Sequence, residues 1–139
     1  MEKYLDNREG EIVFRIIPDT LKHKILTVCE MNDIINRERS RSNRNRKPFS
    51  LIMFEISIEN QDEKNNDFLN LLIQRIRCTD EIGLLSLSCI GVIMPETSET
   101  GALTFIQSIL CSDIRVHMNF NASYATYPSR KWEENILFQ

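Results

Sequence analysis

Side chains able to do chemistry are scattered thinly along this sequence. The four cysteines, Cys29, Cys78, Cys89 and Cys111, are widely spaced and form no C-x-x-C pair. His23 and His117 stand apart from each other and from the cysteines. A structural zinc site needs four ligands at close spacing, and no such cluster is written here, so no metal is expected. The cysteines sit in apolar or mixed segments and read as reduced, mostly buried thiols that pack as small hydrophobes. No Ser-His-Asp arrangement or glycine-rich phosphate loop supports an enzyme of those classes. The strongest charge feature is RERSRSNRNRK, residues 37–47, with five Arg and one Lys against one Glu. Clustered cations neutralise phosphates, which is the chemistry of nucleic-acid binding. This run lacks interleaved aromatic residues, and the whole chain carries a net charge of -3. It reads as a solvated helix end and loop, and no nucleic-acid partner is expected.

The elements that must position these groups follow from the pattern. At 139 residues, with 42% apolar and 27% charged, the chain fits one globular domain with a real core. No apolar run reaches the length of a bilayer span, so no membrane insertion is expected. The opening MEKYLDNREGE has no apolar region behind it, so no secretory signal is expected and the cytoplasm is the expected compartment. Residues 1–18 are expected as an N-terminal segment or linker, and 19–139 as a single domain.

After Pro18, Asp19 or Thr20 is placed to cap a helix whose stripe is Leu21, Ile25, Val28, Ile34 and Ile35. Ser50–Ile58, β-branched and aromatic, reads as a central strand. Asp67–Cys78 carries Phe68, Leu69, Leu72, Ile73 and Ile76 at helical spacing. Ile82–Leu87 and Cys89–Met94 read as a hairpin. Thr97 or Ser98 caps a further helix with Ala102, Phe105, Ile106, Ile109 and Leu110 inside. Ile114–Tyr124 alternates as a last strand, closed by Pro128. From the first strand the order is β-α-β-β-α-β, a ferredoxin-like α+β arrangement with both helices on one face of an antiparallel sheet and an extra helix before it.

From Pro48 to Pro128, about 80 residues, the sequence resembles the GGDEF domains of bacterial diguanylate cyclases. PFSLIMFEIS is similar to the first strand of that nucleotidyl-cyclase-type fold. RCTDEIGLLSLSCIGVIMPET is similar to the stretch that leads through the signature hairpin, and NFNASYATYP to the final strand. The resemblance places the Gly-Gly-Asp/Glu-Glu-Phe signature on Ser86, Leu87, Ser88, Cys89 and Ile90. Leu87 stands where a glycine would let the backbone approach a phosphate. Cys89 stands where an acid would ligate magnesium, and a thiol suits a hard cation poorly. Glu55 matches the first metal acid of strand one, while Ser57 replaces the second. One carboxylate does not organise a two-metal phosphoryl-transfer site, so the resemblance implies a domain that makes no cyclic dinucleotide. Leu26-Thr27 is at best a remnant of the family's motif before the basic helix.

One family feature is retained. Arg77-Cys78-Thr79-Asp80 stands five residues before Ser86, where active cyclases carry an inhibitory Arg-x-x-Asp site for cyclic di-GMP. Arg offers a planar fork to a phosphate or a guanine edge, and Asp accepts from guanine donors. The resemblance thus implies a catalytically inactive receptor or regulatory module for cyclic di-GMP through Arg77 and Asp80. It needs no cofactor, and it has a protein partner or a second copy as its output. Biofilm and exopolysaccharide regulation are the context in which such receptors serve. The alternative is that the pair staples the helix to the hairpin, in a ligand-free interaction or dimerisation module.

Overall fold

A computed structural model describes residues 3–4, 15–16, 24–56, 62–112, 120–130 and 132–133. The chain forms strands β1 (Lys3–Tyr4), β2 (Arg15–Ile16) and β3 (Ile25–Leu26), helix α1 (Val28–Asn45), β4 (Phe49–Ile56), α2 (Asp62–Arg75), β5 (Glu81–Ser86), β6 (Cys89–Met94), α3 (Glu99–Leu110) and β7 (Phe120–Tyr127). β1 and β2 pair with each other. The main sheet has the order β3-β5-β6-β4-β7. Its last four strands are the expected ferredoxin-like set, all paired antiparallel. β3 adds a parallel edge strand, with Ile25 opposite Ile82 and Leu26 opposite Gly83.

Strand alternation divides the core in two. Ile52, Phe54 and Ile56 of β4 face α2 and α3, where Phe68, Leu72, Phe105 and Ile109 close over them. Phe49, Leu51 and Met53 point to the other face, under Met31 and Ile35 of α1. Trp132 seals the second face, with its ring 4.9 Å from Phe49 and 5.4 Å from Tyr127.

The start of α1 departs from the sequence reading. Ile25 belongs to β3 and Val28 is exposed, so the two do not share a helical stripe. Ile25 and Leu26 bury themselves by pairing with β5, and the helix begins only afterwards. Thr27 is its N-cap: Glu30 N–H donates to Thr27 Oγ1 and the Glu30 carboxylate accepts from Thr27 N–H, a capping box. The helix does run through the basic stretch, and its buried stripe is Met31, Ile35, Glu38 and Ser42. It ends at Arg46, in the left-handed region with φ 59°. α2 runs 62–75 rather than 67–78, and Ser98 rather than Thr97 caps α3. The hairpin forms as expected, with its second strand at Cys89–Met94 and its first at Glu81–Ser86 rather than Ile82–Leu87. β7 extends three residues beyond Tyr124 to a cis Tyr127–Pro128 bond. The expected cap at residues 19–20, Leu21, the strand positions 57–58 and 114–119, both histidines and most of segment 1–18 lie outside the described residues. The cysteines are also placed differently: Cys29, Cys78 and Cys111 are exposed and Cys89 is half-buried, all four without a disulfide. Three of them sit at a helix start, a turn and a helix end, where the backbone is at the surface.

Two glycines allow α1 and β3 to approach the sheet. Gly83 and Gly91 are cross-strand partners. A Cβ on Gly83 would lie 2.6 Å from Met31 Cγ and 2.7 Å from the Leu26 carbonyl oxygen. Gly91 likewise leaves room for Leu85 and for the Met31 methyl.

Candidate functional site

The hairpin closes with Ser86 opposite Cys89, so Leu87 and Ser88 form a two-residue turn. Neither has a positive φ, and a register shift between Leu84 and Ser86 marks a bulge beside it. Leu87 projects outward, 47% exposed. The Ile56 N–H donates to the Ser88 carbonyl at 2.8 Å, tying the end of β4 to the turn.

Beneath the turn, on the α1 face of the sheet, lies a cleft of about 350 Å³ lined by Met53, Glu55, Leu85, Ser86, Ser88, Cys89 and Ser123. Register explains the lining. Glu55 sits opposite Cys89 on one side and Asn121 on the other, and Met53 sits between Gly91 and Ser123. The side chains of Met53, Glu55, Cys89 and Ser123 therefore emerge on one face. Glu55 is exposed, and its charge, after burial itself, helps push the Cys89 thiol up to about 11. Cys89 is thus a protonated thiol at neutral pH, neither a nucleophile nor a ligand for a hard cation. Among the described residues no group of three or more His, Cys, Asp or Glu is arranged to hold a metal ion. One carboxylate, one neutral thiol and a few hydroxyls do not match the oxygen-rich donor set of magnesium. Ser57 lies outside the described residues.

Arg77 and Asp80 occupy the opposite end of β5, about 20 Å from the turn at strand rise. They are brought together, and they face each other. The Asp80 side chain is fully buried, while that of Arg77 is 50% exposed. One Asp80 oxygen accepts from Arg77 Nη2 at 2.8 Å and Nε at 3.1 Å, and the other accepts from the Arg77 backbone N–H at 2.8 Å. Arg77 Nη2 also donates to the Pro95 carbonyl at 3.0 Å and to Thr97 Oγ1 at 2.8 Å. The turn itself closes through Asp80 N–H to the Arg77 carbonyl. The guanidinium therefore joins three places: the end of α2, the start of β5 and the loop from β6 to α3. Arg75 points elsewhere and donates to the Ser108 carbonyl of α3. The sequence reading missed how fully the carboxylate is enclosed. The available signal was that an acid rarely buries unless it is paired.

The strand order, the helices on both faces and the edge strand β3 define an α+β domain of nucleotidyl-cyclase type. Its solved neighbours are described as diguanylate cyclases or GGDEF domains. A DGC protein from Thermotoga maritima superposes with a TM-score of 0.66 at 13% identity, over 76% of this chain and 84% of that one. The GGDEF domain of YfiN (or TpbB) from Pseudomonas aeruginosa superposes with a TM-score of 0.59 at 16% identity, over 76% and 78%. Diguanylate cyclase SiaD from Pseudomonas aeruginosa, in complex with its activator SiaC, gives a TM-score of 0.59 at 15% identity, over 73% of this chain and 46% of that one. At these identities the likeness establishes a GGDEF-type fold. No family model and no curated protein sequence matches the chain. No helix among the described residues is long and apolar enough to cross a membrane.

Proposed function

We propose that this chain is a catalytically silent GGDEF-type domain that works as a protein-interaction module. The observation that carries the reading is the buried Asp80 carboxylate, both of whose oxygens are engaged by Arg77. An acid so enclosed serves the packing of the turn and would have to be uncovered before it met a guanine. The cleft under the hairpin supports silence, because its donors do not suit the metal ions of phosphoryl transfer. A fold neighbour solved with a protein activator bound supports a protein as the partner of such a module. A second copy of the chain would serve equally as that partner.

A second reading keeps the pair as a cyclic di-GMP receptor. It is favoured by the half-exposed Arg77 guanidinium, which lies at the surface of a fold shared with cyclase domains. Receptor binding in this reading requires the Arg77 fork to leave Asp80 and take a phosphate or guanine edge.

Incubation with GTP and magnesium tests silence. The expected outcome is no cyclic or linear dinucleotide by chromatography, at any time point at which an active cyclase has turned over. Product that disappears in Glu55→Ala would overturn the reading and assign the cleft a catalytic role.

A further inference from the structure

The basic stretch acquires a shape in the fold. Arg37, Arg41 and Arg44, at i, i+4 and i+7, share the solvent face of α1, Arg39 lies on its other flank, and Arg46 and Lys47 follow directly after the helix, all exposed. Along the helix axis the row from Arg37 to Arg46 is about 14 Å long. The acid within it, Glu38, is buried, and one of its oxygens is 3.4 Å from both Arg37 and Arg41. It neutralises part of two guanidinium groups, and among the described residues Arg44 and Arg46 have no carboxylate partner. Lys47 meets Glu96 at 3.4 Å. Arg39 lies 5.6 Å over the Tyr127 ring, whose hydroxyl donates to the Asn43 side chain. That contact holds its fork flat against the protein. Met31 and Ile35 anchor the helix into the core, so the row is carried on a rigid element. One cation in the last turn is enough to favour the helix dipole, and a row of this density exceeds that need.

Resting on the reading of the domain as an interaction module, we propose that the outer face of α1 docks an acidic protein segment. Four of its five cations are arginines, whose planar forks match carboxylates in pairs. Three observations choose a protein over other polyanions. The Tyr127 ring lies under Arg39, so no open aromatic platform accompanies the cations for stacking bases. The chain is net -3 despite this row, so the rest of it carries an acidic excess. A long phosphate backbone would run past the row at either end and meet the exposed acids Asp33 and Glu96, whereas a short acidic segment stays on the row. Val28, the exposed large apolar side chain of α1, is at its far end, so among the described residues the cations have no exposed large apolar neighbour to enter a bilayer.

The test is fluorescence anisotropy with a labelled short polyglutamate peptide on the full chain. Saturable binding is expected at low salt, weakening as salt rises. Arg44→Gln combined with Arg46→Asn, which suits the left-handed cap, should weaken it about tenfold while Arg75→Gln leaves it unchanged. The proposal is overturned if the peptide fails to bind, if the double variant binds as well as the natural chain, if a DNA duplex of equal charge binds more tightly, or if sedimentation shows that the row instead drives self-association that excludes the peptide. None of these results alters the outcome with GTP, so the docking face and the silence of the cleft fail separately.

Discussion

Replacing Arg77 with Met is expected to destabilise the fold by about 3 kcal/mol, because breaking one side of a buried pair strands the other charge. Arg77→Met removes the guanidinium from the Asp80 carboxylate, from the Pro95 carbonyl and from Thr97 at once. The fully buried Asp80 would keep only the Arg77 backbone N–H. The reverse change should cost less, since the half-exposed guanidinium left behind by Asp80→Leu can turn to water. The double variant Arg77→Met/Asp80→Leu should recover part of the single loss, and urea unfolding of all four proteins completes the cycle. Additive effects, or an Arg77→Met loss within about 0.5 kcal/mol of zero, would remove the staple from this account.

The second large effect is expected at Gly83. In Gly83→Ala the new methyl meets Met31 Cγ at 2.6 Å, the Leu26 carbonyl oxygen at 2.7 Å and Leu26 Cβ at 2.8 Å. Met31 can adjust its flexible chain, but the Leu26 oxygen is backbone and belongs to the strand paired with β5. The cost is therefore that of overpacking, about 1–3 kcal/mol, with β3 and the start of α1 loosened first. Hydrogen exchange at Ile25–Met31 together with a thermal melt reads both parts. An unchanged melt with full protection there would show that β3 does not pack as described.

Much of this fold was legible because burial and alternation are written strongly in its centre. SLIMFEI, the hairpin halves and the Ala102–Phe105–Ile106–Ile109 stripe each match a single period, and each became the expected element. The front of the domain was harder. Leu21 to Ile35 can be read as one helical stripe, yet Ile25 and Leu26 gain more by pairing with the edge of β5. The correct start was marked by Thr27-x-x-Glu30, a capping box inside what looked like a helix interior. Gly83 and Gly91 also carried a signal, since a glycine inside an apolar strand points to close approach of another element.

The site was only partly legible. Spacing joined Arg77 to Asp80, but it could not tell mutual pairing from joint presentation to a ligand. That choice depends on the Pro95–Thr97 loop, which lies 18 to 20 residues further on and supplies two more acceptors for Arg77. The reading of the cysteines as mostly buried misjudged them because their segments are mixed, and helix ends and turns expose what a strand interior would hide.

Calorimetric titration of cyclic di-GMP into the intact chain tests the central claim most directly. The account predicts no saturable heat at micromolar ligand, in keeping with an Asp80 carboxylate committed to Arg77. Saturable heat that vanishes in Asp80→Asn, with the variant still folded, would contradict it and make the pair a receptor.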